Sequence, residues 1–201
     1  MQAVGRRRLL NTCLGYLSVA EPSTLAESVA LAKAQFDAAQ CMTDKAAALM
    51  ALTGLESPER AEALQTFYTD AKGDALVLNK WFAIQAAADT PTVLEQLKAL
   101  KKHPDFIISN PNRARSLLTT FAMNIKHFHA ADGQGYAFLA DAIIELDAIN
   151  PQVAARLSTQ FLLWRRLDES RRNHVEGHLK RIHGTKPLSS DTFEIIARCL
   201  K

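Results

Sequence analysis

Signals for the start of a helix recur at short intervals along the whole chain. Ser57-Pro58, Asn110-Pro111 and Asn150-Pro151 each place a capping side chain before a proline, which fits the first helical position because its missing N–H has no partner there. Starts are expected near residues 22, 43, 57, 73, 90, 110, 132, 150, 168 and 189, roughly 14 to 22 residues apart. Strand-like alternation of apolar and polar residues is absent. The sequence therefore predicts an all-α fold of short helices.

Short helices of this kind must bury their apolar faces against one another, because each face is too small to be stable alone. A helical pair takes on the order of 40 residues, the period of armadillo and HEAT arrays. The chain has 201 residues, 48% of them hydrophobic, which is enough for a substantial core. We predict a superhelix of paired short antiparallel helices, an armadillo/HEAT-like solenoid, with a closed helical bundle as the alternative.

Several local signals make this prediction specific. Apolar residues at helical spacing follow the basic triplet Arg6 to Arg8 in the first helix. Thr43 is the expected cap of the third helix, and residues 126–131 are expected to form a polar and aromatic link before the turn at 132–135. Asp168, and Ser189 or Ser190, are the expected caps of the last two helices.

The cysteines indicate in which cellular compartment the protein works. The three cysteines, Cys13, Cys41 and Cys199, are far apart and lack metal-ligand spacing. Cys13 lies in an apolar helical pattern, so we expect buried, reduced thiols. No apolar run reaches the roughly 20 residues that cross a bilayer. These features favour a cytoplasmic protein that does not contact a membrane.

One histidine pair has a spacing that can hold zinc. His174 and His178 lie four residues apart on one helical face. A zinc protease of the His-Glu-x-x-His type needs its acid immediately after the first histidine, whereas Glu176 follows two residues later. His183 is nearby, but no third ligand is evident, so we interpret the pair as part of a solvated helix face. We assign no metal ligand and no catalytic residue to this chain.

Other reaction centres have no support in the sequence. His127 and His129 precede the glycine turn and could titrate near neutral pH, although loop histidines are usually solvated or bonded to backbone. A phosphate-binding glycine loop, a nucleophile elbow and a dinucleotide fingerprint are all missing. Basic residues occur at Arg6 to Arg8 and again between positions 165 and 181, but the net charge is only +3. We therefore expect no nucleic-acid partner.

Arg113 and Arg115 are unusual for their position. They fall in the first two turns of the helix that begins at Asn110-Pro111, where the helix dipole already supplies positive charge. Helix stability does not explain two arginines there, whereas binding of an anion or a carbonyl group would. Solvation, or pairing with carboxylates of a neighbouring helix, is the alternative.

Six blocks of sequence, in their order and spacing, resemble one known family. The blocks are NTCL at 11–14, MTDKAAAL at 42–49, NKWF at 79–82, SNPNRARS at 109–116, FHAADGQGY at 128–136 and NPQVAARL at 150–157. Over nearly its full length the chain resembles the C-terminal helical domain of bacterial aminopeptidase N, the alanyl aminopeptidase of the gluzincin zinc metallopeptidases.

The resemblance implies a helical superhelix, residues 1–201, that caps a catalytic domain, encloses a cavity over its zinc site and admits short peptides. The family's His-Glu-x-x-His helix, its distant glutamate ligand, its Gly-x-Met-Glu-Asn loop and its catalytic tyrosine have no counterpart in this sequence. The resemblance thus implies an excised domain that does not hydrolyse peptides alone. Its partners would be the catalytic and N-terminal domains of the same enzyme, and its zinc would be held by the catalytic domain.

The resemblance also implies roles for three arginines. Arg115 and Arg156 lie in segments that, in the family, turn arginines toward the enclosed cavity, where they can hold carbonyl groups or the terminal carboxylate of a peptide. Arg113 is a weaker candidate because it should face a different direction. A stand-alone helical scaffold that binds a protein or peptide remains an alternative, as does a solenoid that binds RNA or DNA.

Overall fold

The computed structural model describes residues 2–19 and 22–201, and every regular element in those ranges is helical. The all-α, armadillo-type prediction is confirmed. The chain divides into two compact units, residues 1–93 and 94–201. Within the described ranges no helix is both long enough and apolar enough to cross a bilayer.

The first unit is organised around its third helix. The helices are α1 (Gln2–Leu17), α2 (Leu25–Ala38) after a 3₁₀ turn at Pro22–Thr24, α3 (Met42–Thr53), α4 (Pro58–Asp70) and α5 (Ala75–Ala86). Helix α3 contacts all four of the others. Leu49 and Leu52 of α3 are fully buried, together with Phe67 of α4 and Phe82 of α5. The apolar faces of these short helices thus form one core.

Local chemistry sets the ends of α4 and α5. The hydroxyl of Ser57 accepts a hydrogen bond from the Arg60 backbone N–H, as its place before Pro58 predicts. After α4, Lys72 and Gly73 have φ values of 46° and 81°, in the left-handed region that stops a helix. The carboxylate of Asp74 then caps α5, a signal that the sequence analysis missed.

The second unit is organised around a long central helix, α9. Its elements are α6 (Val93–Leu100), which starts on the last residue of the first unit; α7, in three parts (Pro111–Ala114, Arg115–Thr119 and Thr120–Ala122); α8 (Ile125–Phe128); α9 (Gln134–Asp147); α10 (Pro151–Ser158); 3₁₀ turns at Thr159–Phe161 and Trp164–Arg166; α11 (Glu169–Gly184); and α12 (Ser190–Leu200). Helix α9 contacts α8, α10 and α11, and α12 contacts α10 and α11. The predicted caps Asp168 and Ser189 both accept a backbone N–H.

The middle part of α7 is a π-helical turn, Arg115–Thr119. Such turns are rare inside α-helices and frequently occur at functional sites. Nothing in the residue types of this segment predicts it.

Two local predictions were wrong. Helix α3 begins at Met42, because the backbone is still extended at Cys41 (φ −146°, ψ 156°), so Thr43 lies inside the helix and does not cap it. Residues 126–131 are not wholly a link, since Ile125–Phe128 forms α8. Phe128 is 1% exposed and lies edge-on to the ring of Tyr136, with the ring centroids 5.2 Å apart. Burial of this aromatic ring explains the short helix.

The prediction of buried thiols holds only for Cys199. Cys13 and Cys41 are exposed. The helical spacing around Cys13 is as predicted, but α1 turns Asn11 toward α3, where its amide donates to Asp44 Oδ1 at 3.0 Å. A different face of α1, which carries Cys13, consequently points to solvent.

Candidate functional site

A cavity of about 300 Å³ lies in the second unit between α7, the end of α9 and α10. Its lining residues are Pro111, Ala114, Arg115, Leu118, Thr119, Leu146, Asn150, Gln152, Val153, Arg156 and Leu157. Two of the three arginines singled out from the sequence therefore line one cavity. Among the residues that the structure describes, none of those lining the cavity is a carboxylate.

The two Asn-Pro motifs position this site. The Asn110 side chain accepts hydrogen bonds from the backbone N–H groups of Asn112 and Arg113, and Asn150 accepts one from Val153. Each asparagine thereby fixes the first turn of its helix, with proline at the first helical position. Both helices begin beside the cavity, so their N-terminal partial charges add to the arginine charges there.

Arg115 is exposed and is held along its own helix. Its Nε donates to the Pro111 carbonyl at 3.2 Å, and its Nη2 donates to Asn112 Oδ1. A guanidinium has five N–H donors, so donors remain for a ligand in the cavity. Both hydrogen-bond partners of the Arg115 side chain belong to its own helix. The sequence analysis had considered a carboxylate of a neighbouring helix as an alternative partner.

Arg156 is exposed and lies in the last turn of α10. Among the described residues its guanidinium makes no salt bridge or side-chain hydrogen bond within the structure. With Arg115 it gives the cavity wall two cations and no opposing carboxylate. Such a wall suits a carboxylate or carbonyl oxygen.

Arg113 is placed differently. Its side chain is 6% exposed and does not line the cavity. Burial lowers the pKa of the Arg113 guanidinium, and the charge of Asp105 acts in the opposite direction. The two arginines of the α7 motif thus face different surroundings, as their spacing predicts.

The histidine pair of α11 lies on a charged surface. His174 is exposed and His178 is half-buried, with its Nδ1 3.5 Å from Arg181 Nη2. Burial lowers the pKa of His178, and the charge of Arg181 lowers it further. Glu176 forms an ion pair with Lys180 at 2.7 Å. In the part of the chain that the structure describes, no three His, Cys, Asp or Glu side chains are grouped so that they could hold a metal ion.

His129 belongs to a hydrogen-bonded group at the start of α9. Its Nδ1 lies 2.8 Å from the Tyr136 hydroxyl, and Arg171 Nε donates to the His129 carbonyl at 2.6 Å. Burial raises the pKa of Tyr136 to about 12, so its hydroxyl stays protonated and can donate to a neutral His129. Burial also lowers the pKa of His129, and the positive charge of Arg171 lowers it further.

This arrangement makes the stability of the second unit depend on pH. Unfolded His129 binds a proton near pH 6.5, whereas the folded form binds it only at lower pH, so stability should fall as the pH drops below about 6.5. We expect wild type to lose more stability between pH 7.5 and pH 5 than His129→Asn, whose amide accepts the same hydrogen bond without titrating. Urea unfolding at the two pH values measures this difference, and equal losses in the two proteins would contradict it.

Three kinds of comparison relate this chain to known proteins. Residues 1–201 match the family model described as "Domain of unknown function (DUF3458_C) ARM repeats". The chain is 41% identical over 199 residues to aminopeptidase N of Caulobacter vibrioides and 38% identical over 198 residues to that of Escherichia coli, in both cases over 98% of this chain. It spans 23% and 22% of the lengths of these relatives.

A solved structure with the same fold is the crystal structure of Legionella pneumophila aminopeptidase A in complex with aspartic acid. The TM-score is 0.91 and the sequence identity is 36%, over 100% of this chain and 23% of that chain. The likeness thus extends over the whole of this sequence and less than a quarter of the solved chain.

Proposed function

Because this chain belongs to the DUF3458_C family of ARM-repeat domains, we propose that it works as the C-terminal helical domain of an aminopeptidase N-type enzyme. Its homology to the C-terminal part of aminopeptidase N, at 38–41% identity over the whole chain, confirms the resemblance found in the sequence. The enzyme would remove N-terminal amino acids from short peptides in the cytoplasm. Its zinc would be held by the catalytic domain, outside this chain.

In this proposal residues 1–201 act as one cap over the active site. The cap controls which peptides enter and lines part of their path, and the reaction is carried out by the catalytic and N-terminal domains. The chain's own contribution is to bind and orient the substrate. Orientation is a substantial contribution, because a peptide held in a productive position loses less entropy on reaching the transition state.

The observation that supports this role is the cavity shared by Arg115 and Arg156. If the catalytic domain fixes the free amine of a peptide, a cationic wall at a distance can hold its carbonyl groups or terminal carboxylate. Guanidinium groups suit this because their planar N–H donors match two oxygen atoms at once. Arg113, which is buried and lies outside the cavity lining, stays the weaker candidate for a substrate contact.

We expect alanine at Arg115 or Arg156, in the full-length enzyme, to raise KM for tri- and tetrapeptides by about tenfold or more. Charge-assisted hydrogen bonds contribute about 1.5–3 kcal/mol, and 1.4 kcal/mol corresponds to a factor of ten. In this proposal an amino-acid amide is too short to reach the arginines, so its KM should change by less than about twofold. Steady-state kinetics with both substrates measure the contrast.

Arg172→Ala is the matched control, since Arg172 is an exposed arginine of the second unit outside the cavity lining. It should leave both KM values unchanged. If the Arg115 and Arg156 variants affected the amide as strongly as the tetrapeptide, the proposed contact with the distal part of the peptide would be wrong.

A further inference from the structure

A second cavity, of about 420 Å³, lies in the second unit beside the end of α7, the short helix α8, the start of α9 and the two 3₁₀ turns. We call it the aromatic cavity, because its buried lining side chains are mostly aromatic. They include Phe128, Tyr136, Phe161, Trp164 and Val175. Its volume falls in the range of about 300–1,000 Å³ that is typical of ligand pockets. It shares no lining residue with the cavity of Arg115 and Arg156.

Three large apolar side chains that line the aromatic cavity are exposed. Met123 is 70% exposed, Ile125 73% and Leu163 62%. Exposed apolar side chains beside an aromatic cavity form a surface from which water is readily displaced. The site therefore favours a ligand with an apolar body.

The hydrogen-bonded pair of His129 and Tyr136 lines the same cavity. Burial raises the pKa of Tyr136 to about 12, so its hydroxyl keeps its proton and can donate to Nδ1 of His129. A neutral His129 then carries its own proton on Nε2. Nε2 has no hydrogen-bond partner among the described residues. The pair thus provides an N–H donor that is free for a ligand.

Arg166 supplies a cation to this cavity. Its side chain is exposed and, in the part of the chain that the structure describes, makes no ion pair or hydrogen bond. Other arginines nearby have partners: Arg165 donates to the Cys199 carbonyl at 2.7 Å, and Arg171 pairs with Asp168 at 2.6 Å. Arg166 therefore has all its N–H donors available for a ligand.

The charge of the lining narrows the ligand further. Among the described residues, the aromatic cavity is lined by one arginine and by no aspartate or glutamate. A carboxylate on the ligand would pair with Arg166, whereas an ammonium group would find no carboxylate to compensate its loss of water. A free amino acid, which carries both charges, is consequently a poorer match than an acid without an amine.

We propose that the aromatic cavity is a binding site for a small aromatic carboxylate that carries no amine. The ring of the ligand would pack among Phe128, Phe161 and Trp164, in the edge-to-face or offset arrangements that aromatic rings prefer. Its carboxylate would accept hydrogen bonds from Arg166 and from Nε2 of His129. This site is separate from the proposed peptide contact at Arg115 and Arg156 and does not depend on it.

The fluorescence of Trp164 can report on binding, because this side chain lines the aromatic cavity. In the 201-residue chain with Trp81→Phe, 3-phenylpropionate should change this fluorescence in a saturable way. The amide 3-phenylpropanamide lacks the charge, and L-phenylalanine adds only the ammonium group. Each should bind at least about tenfold more weakly than the acid, the factor expected when a charge-assisted hydrogen bond is lost or an ammonium is left uncompensated.

Arg166→Gln tests the role assigned to the cation. This variant should bind 3-phenylpropionate at least about tenfold more weakly and should no longer prefer the acid over the amide. Its unfolding should match that of the parent protein, since Arg166 is exposed and makes no contact that the substitution breaks. Arg172→Gln is the matched control, because Arg172 is an exposed arginine outside the lining, and it should leave the affinity unchanged.

Fluorescence that does not saturate, or equal affinities for the acid, the amide and the amino acid, would overturn the proposal. So would an Arg166→Gln variant that binds the acid as well as its parent. In the full-length enzyme, calorimetry with 3-phenylpropionate should show one binding event that Arg166→Gln weakens, whereas any binding at the catalytic site stays the same. Identical titrations of the two full-length proteins would also refute the site, because another part of the polypeptide would then fill the cavity.

Discussion

Replacing Gly135 with alanine is expected to destabilise the second unit by about 2 kcal/mol or more. A Cβ atom at this position would lie 2.5 Å from the Phe128 carbonyl oxygen and 3.0 Å from the Phe128 Cα. Both are backbone atoms, so the contact cannot be relieved by turning a side chain. The Phe128 ring is 1% exposed, which holds that backbone in place. Alanine must therefore push α8 and α9 apart.

The control for this substitution is Gly177→Ala in α11, where a Cβ would meet nothing within 4 Å. Alanine there should stabilise the unit by about 0.5–1 kcal/mol, since glycine in a helix loses more backbone entropy on folding. Urea unfolding followed by the fluorescence of Trp164, with Trp81→Phe in all proteins compared, reports on the second unit. A neutral or stabilising Gly135→Ala would show that the helices can separate without cost.

Features that depend on neighbouring residues in the chain could be predicted from the sequence. The caps at Ser57, Asn110 and Asn150 are examples, because a capping side chain bonds to backbone groups two or three residues away. The order of the helices follows from such signals. The limits of this approach appear at Thr43, where the residue type fits a cap but the helix already begins at Met42, two residues earlier than a cap at Thr43 predicts.

Features that depend on distant parts of the chain could not be predicted from the residues alone. The need for glycine at position 135 arises from its close approach to the Phe128 backbone. This approach depends on the helix at Ile125–Phe128, where the sequence predicted a link. The cavity of Arg115 and Arg156 likewise requires α7 and α10 to lie side by side, and the resemblance to a family was needed to suggest it. For Cys13 the helical spacing could be read from the sequence, but the exposure of the face that carries it could not.

Replacing Asp147 with alanine is expected to cost the second unit about 2–4 kcal/mol. Asp147 is 6% exposed at the end of α9, and its carboxylate accepts hydrogen bonds from the backbone N–H of Ser189, at 2.8 Å, and from the Ser189 hydroxyl. The Ser189 hydroxyl in turn accepts the Thr192 N–H and caps α12. Loss of the carboxylate leaves the Ser189 N–H without this partner and releases the cap.

The same carboxylate gives this prediction a pH signature. Burial alone would raise the pKa of Asp147, but the hydrogen bonds that its carboxylate accepts from Ser189 outweigh it and hold the pKa below its ordinary value. Its contribution is therefore fully present above the unfolded pKa of about 3.9 and is lost as the pH falls through the lower folded pKa. The stability difference between wild type and Asp147→Ala should be largest near pH 7 and should shrink below about pH 4.

Asp191→Ala is the control, because Asp191 is an exposed acid in the first turn of the same helix. It should lose only about 0.3–1 kcal/mol, the usual effect of an acid on the helix dipole. Urea unfolding of the three proteins at pH 7 and pH 3 gives the comparison. If Asp147→Ala cost no more than Asp191→Ala at pH 7, α12 would be held by its apolar contacts alone, and the carboxylate would not be what joins it to α9.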